Sequence, residues 1–165
     1  MLKPSFAAAI AIAFLTTMPL LGCATTIVVP APPGGWQRVD LPFRGRYTKV
    51  AESTFKNGRR FPVANATGAA TVSVEPGKVI YDQTYVSRGE TKRVIQVYSF
   101  GARDAHPNGA DFEVVLSFRG MAGDTQGYSP DRNNPRLEAH RLPSGWALDL
   151  FTTDNNGVVG VLELQ

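Results

Sequence analysis

Asp111-Phe112-Glu113-Val114-Val115-Leu116-Ser117-Phe118-Arg119 decides the fold class. Phe112, Val114, Leu116 and Phe118 fall on one side of an extended chain, and Asp111, Glu113, Ser117 and Arg119 share the other with Val115. A period of two with one apolar face is the signature of a half-buried β-strand. The same pattern recurs in both directions. Trp146, Leu148 and Leu150 alternate with Ala147 and Asp149, with Phe151 as an apolar intruder on the second face. Val79, Tyr81 and Tyr85 alternate with Ile80, Asp82, Thr84 and Val86, whereas 94–100 is apolar on both faces. Weaker segments fit 43–51, 67–75, 136–142 and 158–164, which brings the expected strands to about eight.

Turn chemistry separates these strands. Glu75-Pro76-Gly77-Lys78, Ser87-Arg88-Gly89-Glu90, Pro143-Ser144-Gly145 and Asp154-Asn155-Asn156-Gly157 suit tight reversals. Short connections join neighbours antiparallel, so the economical topology is an up-and-down meander. The expected architecture is therefore all-β and antiparallel, an up-and-down barrel of about eight strands, with a two-layer β-sandwich as the alternative that alternation leaves open. No helix is demanded, although Glu52 to Lys56 is compatible with one short turn ended by Asn57-Gly58. Two connections are expected to be long loops, 103–110 and 120–135, and both are rich in Gly, Pro, Asp and Asn.

The N-terminal region reads differently. Lys3 precedes an apolar run from Ala7 to Leu21 that ends in Leu20-Leu21-Gly22-Cys23, and Cys23 is the only cysteine in the chain. The run is shorter than the ~20 residues a spanning helix needs and contains Pro19. This segment resembles the signal peptide and lipobox of bacterial lipoproteins. The resemblance implies that 1–22 is removed, that the Cys23 thiol is diacylglycerylated, and that the new amino terminus is often acylated too. Two or three acyl chains hold a protein stably to a bilayer. An aspartate after the cysteine marks inner-membrane retention in that family; Ala24 stands here, so the resemblance implies the periplasmic leaflet of the outer membrane.

Residues 23–35 contain Pro30, Pro32 and Pro33 and no charge. They read as a tether able to hold a domain up to roughly 35 Å from the membrane surface. Residues 36–165 then form one β-domain. With the single sulfur assigned to the lipid, no disulfide supports it, and the core must suffice alone. The barrel is similar in architecture to the calycin group of lipocalins and small envelope inhibitors. Gly45-Arg46-Tyr47 resembles the lipocalin Gly-x-Trp opening, with tyrosine in place of tryptophan, and no functional residue is carried across.

The search for chemistry yields little. The chain has 17 basic and 14 acidic side chains, and the excess is too mild to dictate a partner. It has two histidines and no Gly-x-Ser-x-Gly elbow. Asp104, His106 and Asp111 place two carboxylates and an imidazole within eight residues, a loop pattern compatible with a divalent metal but equally with a plain turn. His140 is expected beside Glu138 and Arg136 on a polar face, and Asp149 and Glu163 become neighbours if the last two strands pair. Solvated outer charges are the expectation for both groups, with no metal, cofactor or catalytic residue. Basic residues cluster at Arg44, Arg46 and Lys49, at Lys56, Arg59 and Arg60, and at Lys92 and Arg93. An envelope address argues against nucleic acid. The expected function is a non-enzymatic, monomeric lipoprotein that binds an envelope protein or small ligand. Met121 and Tyr128 of the 120–135 loop, or the basic face of Arg44, Arg46 and Lys49, would make the contact. The alternatives are an inhibitor of a periplasmic lysozyme or protease, and a carboxylate-based hydrolase.

Overall fold

A computed structural model describes residues 35, 38–64, 68–125, 135–153 and 157–165. Among these residues there are eleven β-strands and no helix: β1 (Gly45–Lys56), β2 (Arg59–Pro62), β3 (Ala70–Glu75), β4 (Lys78–Ser87), β5 (Glu90–Ser99), β6 (Ala105–Asn108), β7 (Asp111–Val115), β8 (Ser117–Gly123), β9 (Arg136–Leu142), β10 (Gly145–Thr153) and β11 (Val159–Leu164). All pairings among the described strands are antiparallel. Two-residue loops close five hairpins: Asn57-Gly58, Pro76-Gly77, Arg88-Gly89, Gly109-Ala110 and Pro143-Ser144. At Asn57-Gly58 and Arg88-Gly89 both central residues have positive φ, which matches the turn to the right-handed twist of the flanking strands.

Hydrogen bonds link the strands in the order β6-β7-β9-β10-β11-β1-β3-β4-β5-β8, with β2 attached to β1. The strands near the two ends of this path, β7 and β8, are consecutive in the chain and separated only by Leu116. The sheet therefore curls until its ends meet in one bent strand, giving a barrel-like, all-β antiparallel fold. Consecutive strands pair at β6–β7, β9–β10, β10–β11, β3–β4 and β4–β5, whereas β7–β9, β1–β3 and β5–β8 skip a strand or more and β11–β1 joins the last strand to the first.

Several sequence expectations are corrected here. The stretch 111–119 is two strands, because the chain bends at Leu116: β7 pairs with β9 and β8 pairs with β5. Side-chain alternation continues through the bend, so the sequence carries no trace of it. The expected long loop 103–110 contains β6, an edge strand whose sheet partner is β7 and which therefore tolerates Pro107. The expected loop 120–135 begins later, since Gly120–Gly123 pair with Val94–Val97. Gly123 is required there by sterics. Its φ is +93°, and a Cβ would lie 2.3 Å from the Arg93 carbonyl oxygen. The short turn compatible with 52–56 is strand, because β1 continues to Lys56.

Much of the described inner face is closed to solvent. Val72, Val79, Tyr98, Val114, Leu116, Leu137, Leu148, Leu150 and Leu164 are all essentially excluded from solvent. One end of the curl, where 38–44 enters, is plugged by rings. Phe43 lies 5.6 Å from Phe112 and 5.4 Å from Trp146, and Phe112 and Trp146 are 5.9 Å apart, with Leu41 buried beside them. Tyr47 donates to the Phe43 carbonyl at 2.8 Å, and burial raises its phenol pKa. Gly77 donates to Val39 O at 3.2 Å, which ties the entering chain to the β3–β4 turn.

Candidate functional site

Register assembles a row of like charges on the outer face of the curl. Glu113 on β7 is directly opposite Glu138 on β9, Glu138 opposite Asp149 on β10, and Asp149 opposite Glu163 on β11. Four carboxylates thus lie side by side across four adjacent strands. Like charges in direct cross-strand register repel, so the row needs cations. Arg60, carried by β2, supplies one: its guanidinium hydrogen-bonds to Asp149 and reaches Glu163 at 3.4 Å. The bond to Asp149 is also the chief cause holding the Arg60 pKa above its ordinary value. Arg136 supplies a second, donating to Glu138 at 2.9 Å while its guanidinium lies 3.9 Å from the Phe151 ring centroid. That stacking, with an edge contact from Phe55 at 6.1 Å, explains how Phe151 is buried on the outer face. Ser53, also buried, donates to Glu163 at 3.3 Å.

His140 sits within this group, two residues after Glu138 on β9. Its Nδ1 lies 3.4 Å from Asp111 Oδ2 and its Nε2 lies 3.4 Å from Asp149 Oδ2. Donor atoms of Glu138, His140 and Asp149 all fall within 4.8 Å of one another. Asp111 also accepts the Arg141 backbone N–H at 3.0 Å. That bond, and after it the His140 side chain, lowers its pKa. The pairing of Asp149 with Glu163, and the placement of His140 with Glu138 and Arg136 on one face, follow the sequence reading. The link from His140 to Asp111 does not, because it crosses the β7–β9 pairing.

The opposing reading, a metal loop of Asp104, His106 and Asp111, is not assembled. Asp104 accepts the Gly101 N–H at 2.7 Å as a turn cap, His106 is on β6 opposite Glu113, and Asp111 turns to His140.

The remaining candidates scatter. Cys23 and Tyr128 lie outside the described residues. Met121 is on β8 opposite Gln96, within a strand and not in a loop. Arg44, Arg46 and Lys49 do not form one basic face. Arg44 pairs with Asp40 at 2.9 Å, and Arg46 lies on the outer side within reach of Thr71. Lys49 shares the side of Tyr47, opposite Leu164, and pairs with Glu52 at 3.3 Å. Its side chain is only 12% exposed. A β-bulge between Lys49 and Ala51 resets the alternation there. Arg93 is likewise committed, making two bonds to Asp82 at 2.9 and 2.6 Å. It borders a shallow outer groove of about 320 Å³ with Arg46, Thr71, Asp82 and Thr84.

The end of the curl opposite the ring plug has another character. The connections β1–β2, β2–β3, β4–β5, β8–β9 and β10–β11 all join strands there. Three of the large exposed apolar side chains, Phe61, Val86 and Val158, belong to this end. Toward it the inner face turns polar, with Lys49, Glu52, Gln83 and the buried Gln96, whose Oε1 accepts the Tyr98 hydroxyl at 2.8 Å.

Comparison of the chain with protein-family models, with curated proteins and with solved structures found no match.

Proposed function

We propose that this protein is a non-enzymatic envelope lipoprotein, anchored through acylated Cys23, whose β-domain binds a protein partner or small ligand at the loop-bearing end of its curl. The observation that carries the reading is the difference between the two ends. The chain enters beside the plug of Phe43, Phe112 and Trp146, so a tether preceding it joins the domain at that end and leaves the opposite end clear of the attachment. That far end gathers the longer connections with Phe61, Val86 and Val158, and apolar groups exposed on a polar rim are what partner contacts use. Arg60 binds both Asp149 and Glu163, which stand side by side on an outer sheet face. Glycoside hydrolysis asks instead for two carboxylates flanking a substrate in a cleft, so this arrangement favours binding over hydrolysis.

Crosslinking of the lipidated protein in envelope extract tests the reading. V86D/V158D is expected to remove the crosslinked species, whereas R44E, at the plugged end, retains it. Retention by V86D/V158D, or loss only in R44E, overturns the assignment. Inhibition of a purified lysozyme or protease by the same sample would identify the partner as a hydrolase.

A further inference from the structure

We propose that Glu138, His140 and Asp149 form a binding site for a divalent transition metal, with Asp111 as the group that orients the histidine. The inference stands apart from the lipoprotein reading and rests on the geometry of His140. A neutral imidazole has one N–H donor and one lone pair. Here both ring nitrogens face carboxylate oxygens, Nδ1 toward Asp111 and Nε2 toward Asp149, each at 3.4 Å. With the proton on Nδ1, directed at Asp111, the Nε2 lone pair points at an anionic oxygen, and two acceptors confront each other. Either a second proton on the ring or a metal cation between them removes the conflict, and zinc uptake distinguishes the two.

The spacing suits a metal in that place. Bonds of ~2.1 Å in tetrahedral geometry separate neighbouring ligand atoms by ~3.4 Å, which matches the distance from Nε2 to Asp149 Oδ2. Glu138 brings a third donor, an oxygen, within the same 4.8 Å cluster. A carboxylate on the remote ring nitrogen of a metal-bound histidine fixes the tautomer and raises the basicity of the ligating nitrogen, and Asp111 occupies that position. Asp111 is in turn held by the Arg141 backbone N–H, from the strand that carries His140. Asp149 is largely buried, while His140 is exposed enough to admit an ion from solvent.

Charge agrees with geometry. Asp111, Glu113, Glu138, Asp149 and Glu163 face this region from β7, β9, β10 and β11, and the guanidinium groups bonded to the row are those of Arg60 and Arg136. Arg136 engages Oε1 of Glu138, which leaves the second oxygen of that carboxylate for a metal. Arg60 shares Asp149 Oδ2 with His140 and is the competing cation. One imidazole with two carboxylates is a donor set for zinc and its neighbours in the first transition row.

Calorimetric titration of Zn²⁺ into the untagged full chain carrying C23S, which removes the one competing thiol, tests the site. One equivalent is expected to bind. H140A should abolish binding, D111N should weaken it by about 10- to 100-fold, and R60A should tighten it by removing the competitor. H106A should leave it unchanged. H140N serves beside H140A, with circular dichroism to verify that both keep the β fold. Failure of both the parent and R60A to take up zinc, or uptake undiminished in folded H140A and H140N, overturns the proposal.

Discussion

Truncating Leu116 to alanine tests the bent strand on which the curl depends. The side chain is 1% exposed and sits where the chain passes from the β9 pairing to the β5 pairing, with its own N–H donated to Pro135 O at 2.8 Å. Three carbon atoms are removed, and at about 0.8 kcal/mol for each buried methylene the transfer loss is about 2.4 kcal/mol. A cavity that cannot collapse adds to this, because the neighbours belong to two different runs of strand pairing, so the full cost is about 3 to 5 kcal/mol. For a domain of this size that corresponds to a fall in Tm of roughly 10 to 20 °C. Urea denaturation followed by tryptophan fluorescence measures the cost directly, and the m-value should be unchanged because the same surface is exposed on unfolding. Glu113→Ala, three residues away on the exposed face, is the control and should stay within about 0.5 kcal/mol. A cost for Leu116→Ala below about 1 kcal/mol would refute a packed corner and with it the closure of the curl.

Gly123→Ala should destabilise by about 1 to 3 kcal/mol or more, because a methyl group there collides with the Arg93 carbonyl at a positive φ. Gly89→Ala, at φ +81° with open space around it, should cost less in the same thermal melt, and equal costs would show that the collision is relieved. Arg60→Ala should cost about 1 to 2 kcal/mol. This is less than the ~3 to 5 of a fully buried pair, since its side chain is 36% exposed. The loss should shrink when Asp149→Asn is added in a double-mutant cycle; strictly additive losses would show that the two do not interact. Cys23→Ser should leave an uncut, unlipidated precursor, and intact mass spectrometry of the membrane fraction decides the matter. A mature wild-type species without acyl mass contradicts the anchor.

Alternation and turn chemistry are local, and what they encode is local. Phe112, Val114 and Leu116 announce a strand with one buried face, and Pro143-Ser144 closes a hairpin whose two-residue loop fixes the register, so that the opposition of Glu138 and Asp149 follows by counting outward from the turn. The sequence alone thus determined the all-β class, most of the long strands and their hairpin partners, and part of the carboxylate row. Three features had no local signal. At Leu116 the inside-outside alternation runs on unbroken while the hydrogen-bonding neighbour changes, because alternation reports the face of a residue and says nothing of which strand lies beside it. At Val50 a single extra residue shifts the phase, so Glu52, of opposite parity to Tyr47 and Lys49, joins them on the inner side. The meeting of His140 with Asp111, and of Arg60 with Asp149, joins residues 29 and 89 positions apart through pairings that no short turn sets. Only the curled sheet decides those contacts, since closing it brings together strands whose register depends on the packing of the whole interior.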